Sequence, residues 1–267
     1  MIALTDCNNF YASCERAFDP KLRHKPIIVL SNNDGCVIAR SNEAKSLGIK
    51  MGEPIFKIKK IIKENNVYTF SSNFELYGDM SNRVMSIIGD MVPKFEIYSI
   101  DESFADLTGI DDLGYFSSKI KKNILKCTGI PVSVGLGKTK TLSKIANHIA
   151  KKYSENGVFI LDHNNEKIFN KISISKVWGI GNSNFRMLKN HGINNLNDFI
   201  NLNEKWVKNK MTITGLKILQ ELKGIKCFDI ESNPKNKKSI SSTRSFSNET
   251  SDYKLISESI SSHAAKC

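Results

Sequence analysis

The sequence lacks the marks of several protein classes. No apolar run approaches the roughly 18 residues of a membrane-spanning helix, and the start, MIALTDCNNF, has no basic segment and only a short apolar run. We therefore expect no signal peptide and a cytoplasmic protein. The six cysteines include no C-x-x-C pair and no histidine at zinc spacing. Neither a disulfide framework nor a zinc site is indicated.

The positive charge is unevenly distributed. The chain of 267 residues has a formal net charge of +12. Its first 110 residues are close to neutral, whereas the remainder holds twice as many basic as acidic residues. An excess of this size is the expected footprint of a protein that binds a polyanion such as nucleic acid. A solvated lysine-rich surface is the alternative.

Strand-like and helix-like runs alternate through the first 165 residues. Apart from a compact insertion between Asp19 and Gly52, their order is β-α-β-β-α-β, the split ferredoxin-like arrangement. The predicted strands are IALTD, KPIIVL, CVIAR, VYTFSS, the hairpin KFEIYSIDESFADL, PVSVGLG and GVFIL. Helical periodicity predicts three buried faces. They comprise Val84, Ile87, Ile88 and Met91; Ile120, Ile124 and Cys127; and Leu142, Ile145, Ala146, Ile149 and Ala150.

The character of the chain changes after Asp162. Residues 167–226 show several short helical runs and no convincing strand, which predicts a separate helical module. Residues 229–240 are polar, basic and rich in Ser and Asn, so they are predicted to form a linker. The last part, 241–267, holds one predicted strand (ISSTRSFSNET) and the beginning of a helix. These either dock on the rest or belong to a further domain, because they cannot bury a core alone.

Three acids stand where predicted strands end or bend. Asp6 ends the first strand, and Asp101 and Glu102 interrupt the apolar hairpin. Burying unpaired carboxylates is costly, so the acids are predicted either to lie in a turn exposed to water or to bind cations. Two Mg²⁺ ions held by carboxylates and substrate phosphates are the usual apparatus for nucleotidyl transfer. Clustered acids would also suit a metal-dependent nuclease.

Two glycine-containing motifs invite a phosphate-binding interpretation. GLGKT, at Gly135 to Thr139, fails the Walker A spacing because Val132 stands where the first glycine is required. We interpret Lys138 and Lys140 as helix-start or phosphate-facing cations. WGIG, with Gly179 and Gly181, is typical of a helix-hairpin-helix whose backbone N–H groups approach a DNA phosphate. Arg186 and Lys189 would add sequence-independent attraction. A glycine turn between core helices is the alternative.

Several motifs together resemble the Y-family translesion DNA polymerases of the UmuC type. They are DCNNFYASCE, SNNDGCVIARSNEAKSLGIKMGEP, FSSNFELYGDMSNRVM, IYSIDESFADLTG, VSVGLGKTKTLSKIANHIAKK and VWGIG. The resemblance implies an α+β right-hand polymerase with a ferredoxin-like palm, a small fingers insertion, a helical thumb and the start of an incomplete little finger. The palm would comprise residues 1–20 and 75–165. The fingers would be 21–74, the thumb 166–228 with its helix-hairpin-helix, and the little finger would begin at 241–267.

The resemblance also implies site residues. Asp6, Asp101 and Glu102 would be catalytic and would bind two Mg²⁺ ions with the carbonyl of Cys7. Tyr11 falls on the steric gate against a ribose 2′-hydroxyl, with Phe10 beside it in the nucleotide site; a core tyrosine is the alternative. Lys45 and Lys151 match triphosphate contacts, with an ordinary surface lysine as the alternative for both. Ile38 matches the residue under the nascent base pair. Many family members have Tyr and Arg where this chain has Asn42 and Lys45, which predicts a different phosphate grip.

The implied function is error-prone translesion DNA synthesis from dNTPs on a primer-template in the SOS response. The implied partners are a UmuD′ dimer, RecA and the sliding clamp. The chain ends at Cys267, inside the expected first helix of the little finger, so the DNA grip and the clamp peptide of that domain are expected to be absent. The alternative function is a catalytically inactive DNA-binding fragment.

Overall fold

The computed structural model describes residues 1–232, 238–246 and 248–267, without the side chains of residues 163–166. The chain divides into two compact units, Met1–Phe10 with Glu75–Asn233, and Tyr11–Phe74 with Pro234–Cys267. No helix in the described part is long and apolar enough to span a membrane.

The first unit is built on a five-stranded sheet in the order β5-β6-β1-β7-β8. The strands are β1 (Ile2–Cys7), β5 (Phe95–Ile97), β6 (Glu102–Asp106), β7 (Val132–Gly137) and β8 (Val158–Ile160). Strand β1 is antiparallel to both β6 and β7, β5 is antiparallel to β6, and β8 is parallel to β7. The first four of these strands have the ferredoxin-like order and directions predicted from the sequence, and β8 extends that sheet.

The helices of the first unit's sheet region are α4 (Phe74–Gly89), α5 (Leu113–Thr128) and α6 (Lys140–Tyr153). Helix α1 (Phe10–Phe18) belongs to the second unit from Tyr11 onward. The predicted apolar face of α6 is fully buried, as expected. The other two faces need correction. In α4, Met85 is buried while Ile87 and Met91 are only partly so. Met91 lies beyond the end of the helix at Gly89, so it does not continue the helical face. In α5, Cys127 is exposed, not inward.

The helical segment follows β8. It contains two 3₁₀ helices, His163–Lys171 and Ile174–Lys176, and then α7 (Asn182–Asn190), α8 (Leu196–Ile200) and α9 (Glu204–Leu222). Helix α9 is interrupted at Thr212, whose φ is 63°. One apolar cluster joins α6 to this segment, including Ile145, Phe199 and Leu219. The predicted helical character of residues 167–226 is confirmed.

The second unit holds a three-stranded sheet in the order β3-β2-β4. Its elements are β2 (Ile27–Leu30), β3 (Val37–Arg40), α2 (Asn42–Ser46), α3 (Ile55–Glu64), β4 (Tyr68–Phe70), a 3₁₀ turn at Pro20–Leu22 and α10 (Tyr253–Lys266). Its core cluster includes Ile28, Val37, Ile49 and Ile58. The insertion seen in the sequence is therefore a small folded layer with its own apolar core.

The C-terminal predictions have mixed outcomes. The helix is present as α10, with no buried residue. The strand ISSTRSFSNET is wrong for the described residues of that stretch, which form no ladder. Its backbone contacts side chains instead, since Asn32 donates to the carbonyl of Thr243 at 3.3 Å. Part of the predicted linker, residues 233–237, lies outside the described residues. The first residues of the predicted linker pack on the first unit's sheet, because Ile230 is buried with Ile2, Leu4 and Phe104.

Candidate active site

The three candidate acids come together where β1 and β6 meet. Asp6 lies directly opposite Glu102 in the antiparallel register, and such residues share one face with Cβ atoms about 4.5–5.5 Å apart. The backbone N–H of Cys7 donates to the carbonyl of Asp101 at 2.8 Å. Asp101 stands in the bend of the hairpin, where its carboxylate accepts from the Ser99 hydroxyl at 2.7 Å. Two neighbouring central strands therefore present all three acids at one end of the sheet.

Asp6 has the most perturbed environment of the three. It is 8% exposed, and burial raises its pKa to about 6, with Glu102 and Asp101 adding repulsion and Lys151 acting in the opposite direction. Lys151 Nζ lies 2.6 Å from Asp6 Oδ2. The charged form of Asp6 thus depends on a nearby cation, because a buried carboxylate among other carboxylates is otherwise driven toward protonation.

Helix α6 supplies three lysines to acids on three strands. Lys151 pairs with Asp6 on β1. Lys144 Nζ lies 3.0 and 2.9 Å from the two carboxylate oxygens of Glu102 on β6. Lys140 pairs with Glu96 on β5 at 2.5 Å. Of the two interpretations of Lys140, the helix-start cation is confirmed, because α6 begins at this residue. A phosphate-facing cation does not fit a residue that is only 4% exposed. The spacing of these lysines along one helix face was the signal that could have indicated their shared role.

The donor set suits a hard divalent cation. Asp6, Asp101 and Glu102 offer carboxylate oxygens, which are the ligands that Mg²⁺ prefers. The thiol of Cys7 is buried, so only its backbone carbonyl would contribute. Among the residues that the structure describes, no group of three or more Asp, Glu, His or Cys side chains is gathered closely enough to hold a metal ion as it stands. Two of the three acids face lysine ammonium groups.

The predicted nucleotide-binding residues fall in both units. Phe10, in the first unit, is only 4% exposed. Tyr11, Ile38 and Lys45 belong to the second unit. Tyr11 is partly buried in α1, its ring edge-on to Phe74 at 6.2 Å between centroids. Ile38 is partly buried in β3, and Lys45 is exposed in α2. Lys151 belongs to α6 of the first unit, with 37% of its side chain exposed.

The WGIG stretch forms a tight turn before α7. Gly179 has φ 82°, a conformation that favours glycine, and the N–H of Ile180 donates to the carbonyl of Val177 at 3.1 Å. Gly181 is the N-cap of α7, and Arg186 and Lys189 are exposed on that helix. The element before the turn is a three-residue 3₁₀ helix, not the α-helix that a full helix-hairpin-helix would have.

The GLGKT stretch is used for packing. Thr139 caps α6, its side chain accepting from the N–H of Leu142 at 3.2 Å and donating to the carbonyl of Glu221 at 2.8 Å. A Cβ atom at Gly137 would stand 2.6 Å from the backbone N of Ser143. These glycines let β7 and α6 approach closely, in keeping with the rejection of a P-loop.

Comparison with known proteins identifies the family to which a chain with this fold and acid cluster belongs. The model of the impB/mucB/samB family matches residues 5–148. The chain belongs to this family.

Three known proteins show how similar this chain is to others. The chain is 42% identical over 273 residues to Protein UmuC of Salmonella typhimurium, covering 100% of this chain and 65% of that protein. It is 33% identical over 228 residues to DNA polymerase IV of Picrophilus torridus, covering 83% of this chain and 65% of that protein. A solved insertion ternary complex of Dbh DNA polymerase superposes with a TM-score of 0.76 at 29% identity, covering 86% of this chain and 70% of that chain. The chain thus spans about 65% of the length of the curated relatives it matches.

Proposed function

We propose that this chain catalyses template-directed transfer of a nucleotide from a dNTP to a primer 3′-hydroxyl, as an error-prone translesion DNA polymerase of the SOS response. The observation that carries the proposal is the register of β1 and β6, which sets Asp6 opposite Glu102 with Asp101 alongside. Relatives named DNA polymerase support it. Acting on chromosomal DNA, the protein would work in the cytoplasm.

Asp6, Asp101, Glu102 and the carbonyl of Cys7 would hold two Mg²⁺ ions. Bound there, such ions lower the pKa of the primer hydroxyl and neutralise the leaving pyrophosphate. The protein's part is to keep the carboxylates ionised and at one end of the sheet. The pairing of Lys151 with Asp6 at 2.6 Å serves the first need, and the rigid register of the strands serves the second.

The remaining roles concern the nucleotide. We assign triphosphate contacts to Lys151 and Lys45 on the family likeness. For Lys151 the pairing with Asp6 supports the assignment, because an ammonium group that pairs with a carboxylate can equally pair with a phosphate. Tyr11, with Phe10 beside it in the chain, would exclude a ribose 2′-hydroxyl. Ile38 would lie under the nascent base pair. The contact of Tyr11 with Phe74 limits the positions of the gating ring.

DNA binding would use the turn before α7. Gly179 and Gly181 would let backbone N–H groups approach a phosphate, and Arg186 and Lys189 would add charge. The excess of basic residues after residue 110 supports this assignment. As UmuC-type partners we propose a UmuD′ dimer, RecA and the sliding clamp, on the family likeness alone.

The experiment is primer extension on a template with one abasic site, with Mg²⁺ and dNTPs. We expect synthesis by the wild type and none by Asp101→Ala, because the variant loses one of the three carboxylates proposed to bind Mg²⁺. Asp111→Ala is the matched control, since it removes an exposed carboxylate from a loop of the same unit. Circular dichroism would verify that all three proteins are folded.

Either of two outcomes would contradict the proposal. Synthesis by folded Asp101→Ala at the wild-type rate would remove the acid cluster from the mechanism. If the wild type does not extend the primer but still binds DNA in a filter or anisotropy assay, the protein would be a DNA-binding protein without catalytic activity.

A further inference from the structure

Lys144 occupies a special position among the lysines of α6. Its ammonium group contacts both carboxylate oxygens of Glu102 and lies against three aromatic rings, those of Tyr98, Phe104 and Trp178. We propose that Lys144 is a positioning residue that fixes the orientation of the Glu102 carboxylate, and that these three rings, the aromatic cage, hold the ammonium group in place. The inference rests on the proposed function, in which Glu102 is a metal ligand.

The contact between Lys144 and Glu102 constrains the carboxylate directly. Nζ stands 3.0 Å from Oε1 and 2.9 Å from Oε2, so the ammonium group opposes rotation about the last side-chain bond of Glu102. The two side chains are only 15% and 20% exposed. Partial burial strengthens the attraction, because water screens it less. Each carboxylate oxygen keeps a lone pair for another partner. The contact therefore orients Glu102 and leaves its oxygens able to bind a cation.

The aromatic cage fixes the other end of the contact. Nζ of Lys144 lies 4.5 Å from the centroid of Tyr98, 5.7 Å from that of Trp178 and 5.8 Å from that of Phe104. These are cation–π distances. The rings also support one another, since Trp178 Nε1 donates to the Tyr98 hydroxyl at 3.0 Å. An ammonium group among three mutually packed rings has few alternative positions.

Each of the other two paired lysines of α6 differs from Lys144 in one respect. Lys140 pairs with Glu96, an acid outside the cluster, which also accepts from the backbone N–H of Glu231 at 2.6 Å. Lys151 is 37% exposed. Lys144 alone of these three joins a candidate metal ligand to a largely enclosed ammonium group. Partners of this kind, which orient a metal ligand, typically change metal affinity or activity by about 10–100-fold when removed.

The cage also draws on the helical segment. Trp178 belongs to the WGIG turn, and its ring packs on Phe228 with 5.3 Å between centroids. Glu221, fully buried at the end of α9, accepts from the N–H groups of Cys227 and Phe228 at 2.7 and 3.1 Å. The ring that encloses Lys144 is thereby fixed from outside the sheet. Trp178 is consequently the cage residue that can be removed without changing the sequence of the hairpin, although its loss also removes the hydrogen bond to the Tyr98 hydroxyl.

The experiment compares Lys144→Met, Lys144→Arg and Trp178→Ala with a matched control. The control is Lys152→Met, which removes from the same helix an exposed ammonium group that lies 5.1 Å from the centroid of Tyr153, outside the aromatic cage. Three quantities are measured. They are thermal unfolding, Mn²⁺ affinity from the free-ion electron paramagnetic resonance signal without DNA, and steady-state kcat and KM for a dNTP.

We expect Lys144→Met to weaken Mn²⁺ binding and lower kcat by about 10–100-fold, with little change in KM. Lys144→Arg should restore most of the Mn²⁺ affinity and most of kcat, because arginine keeps a positive charge in the aromatic cage. Trp178→Ala should weaken Mn²⁺ binding in the same direction and add little to Lys144→Met in the double variant. The control should retain wild-type Mn²⁺ affinity and kcat.

Other outcomes overturn the inference. If folded Lys144→Met matches the control in Mn²⁺ affinity and kcat, Lys144 does not position Glu102. If it binds Mn²⁺ more tightly than the wild type, the ammonium group competes with the cation. Failure of the proposed function is distinguishable, because then the wild type itself would neither bind Mn²⁺ nor extend a primer.

Discussion

Helices α6 and α3 are both lysine-rich and amphipathic, yet their lysines serve different ends. In α6, Lys140, Lys144 and Lys151 pair with acids on three strands. In α3, the lysines are exposed, and Lys60 approaches Glu64 of the same helix at 3.8 Å with 84% and 59% of the two side chains exposed. The difference comes from what each helix covers. Helix α6 lies on a sheet that presents acids, whereas α3 lies on the apolar cluster around Ile58.

The largest effect should come from separating α6 from its sheet. A Cβ atom at Gly135 in β7 would overlap the backbone N of Asn147 in α6. We expect Gly135→Ala to lower the free energy of unfolding by about 3 kcal/mol or more, since overpacking of backbone against backbone has no flexible neighbour to give way. Urea unfolding measures the change.

The matched control for that substitution is Gly78→Ala in α4. A Cβ atom there would meet nothing within 4 Å, and alanine is a better helix former than glycine by about 0.5–1 kcal/mol. Gly78→Ala should therefore be neutral or stabilising. Equal stability of the two variants would show that α6 does not depend on the close approach at β7.

The next effect concerns the buried ion pair. Lys140 and Glu96 have side chains only 6% and 12% exposed, so Lys140→Met leaves a largely buried carboxylate without its cation. Such a loss typically costs about 3–5 kcal/mol. We expect a decrease at the lower end of that range by urea unfolding, because Glu96 keeps a second donor in the backbone N–H of Glu231. Adding Glu96→Gln should recover much of it. A loss below 1 kcal/mol, roughly that of a surface pair, would mean that solvent reaches Glu96.

The secondary structure was largely predictable because the signals are local. The periodicity of Leu142, Ile145 and Ile149 predicted the buried face of α6, and alternating apolar runs predicted β1 and β6. The failures needed information from elsewhere in the chain. The stretch around Thr243 has the composition of a strand but no partner strand among the described residues, and Cys127 fits a helical period at a place where the helix has left its core.

The acids of the candidate site could be predicted from the sequence, but the lysines that pair with them could not. Asp6, Asp101 and Glu102 interrupt apolar runs, and that local conflict between burial and charge is visible in the sequence. The common face of the lysines on α6 is visible in the sequence, but the acid with which each lysine pairs is visible only once the sheet order is known. Lys140 is separated from Glu96, and Lys144 from Glu102, by more than forty residues. The exposure of Lys60 and the burial of Lys140 depend equally on such long-range packing.

The smallest effect should come from α3. Lys60→Met removes an ion pair whose atoms are separated by 3.8 Å and surrounded by water. Exposed pairs contribute between zero and about 1 kcal/mol, and helix pairs at this spacing about 0.3–0.5 kcal/mol. We expect a change in the free energy of unfolding within about 0.5 kcal/mol, abolished by high salt because screening weakens exposed charges.

Measured beside Lys140→Met, this variant tests the physical basis of the comparison. Both substitutions remove the same charge and add the same side chain. Lys140 is the first residue of α6, where the helix dipole disfavours a cation, so loss of its charge alone would be stabilising. The difference that acts in the opposite direction is solvent access to the partner carboxylate, which is 12% exposed for Glu96 and 59% exposed for Glu64. If Lys60→Met were as damaging as Lys140→Met, burial would not be the cause, and the lysines of α6 would lose their distinct role.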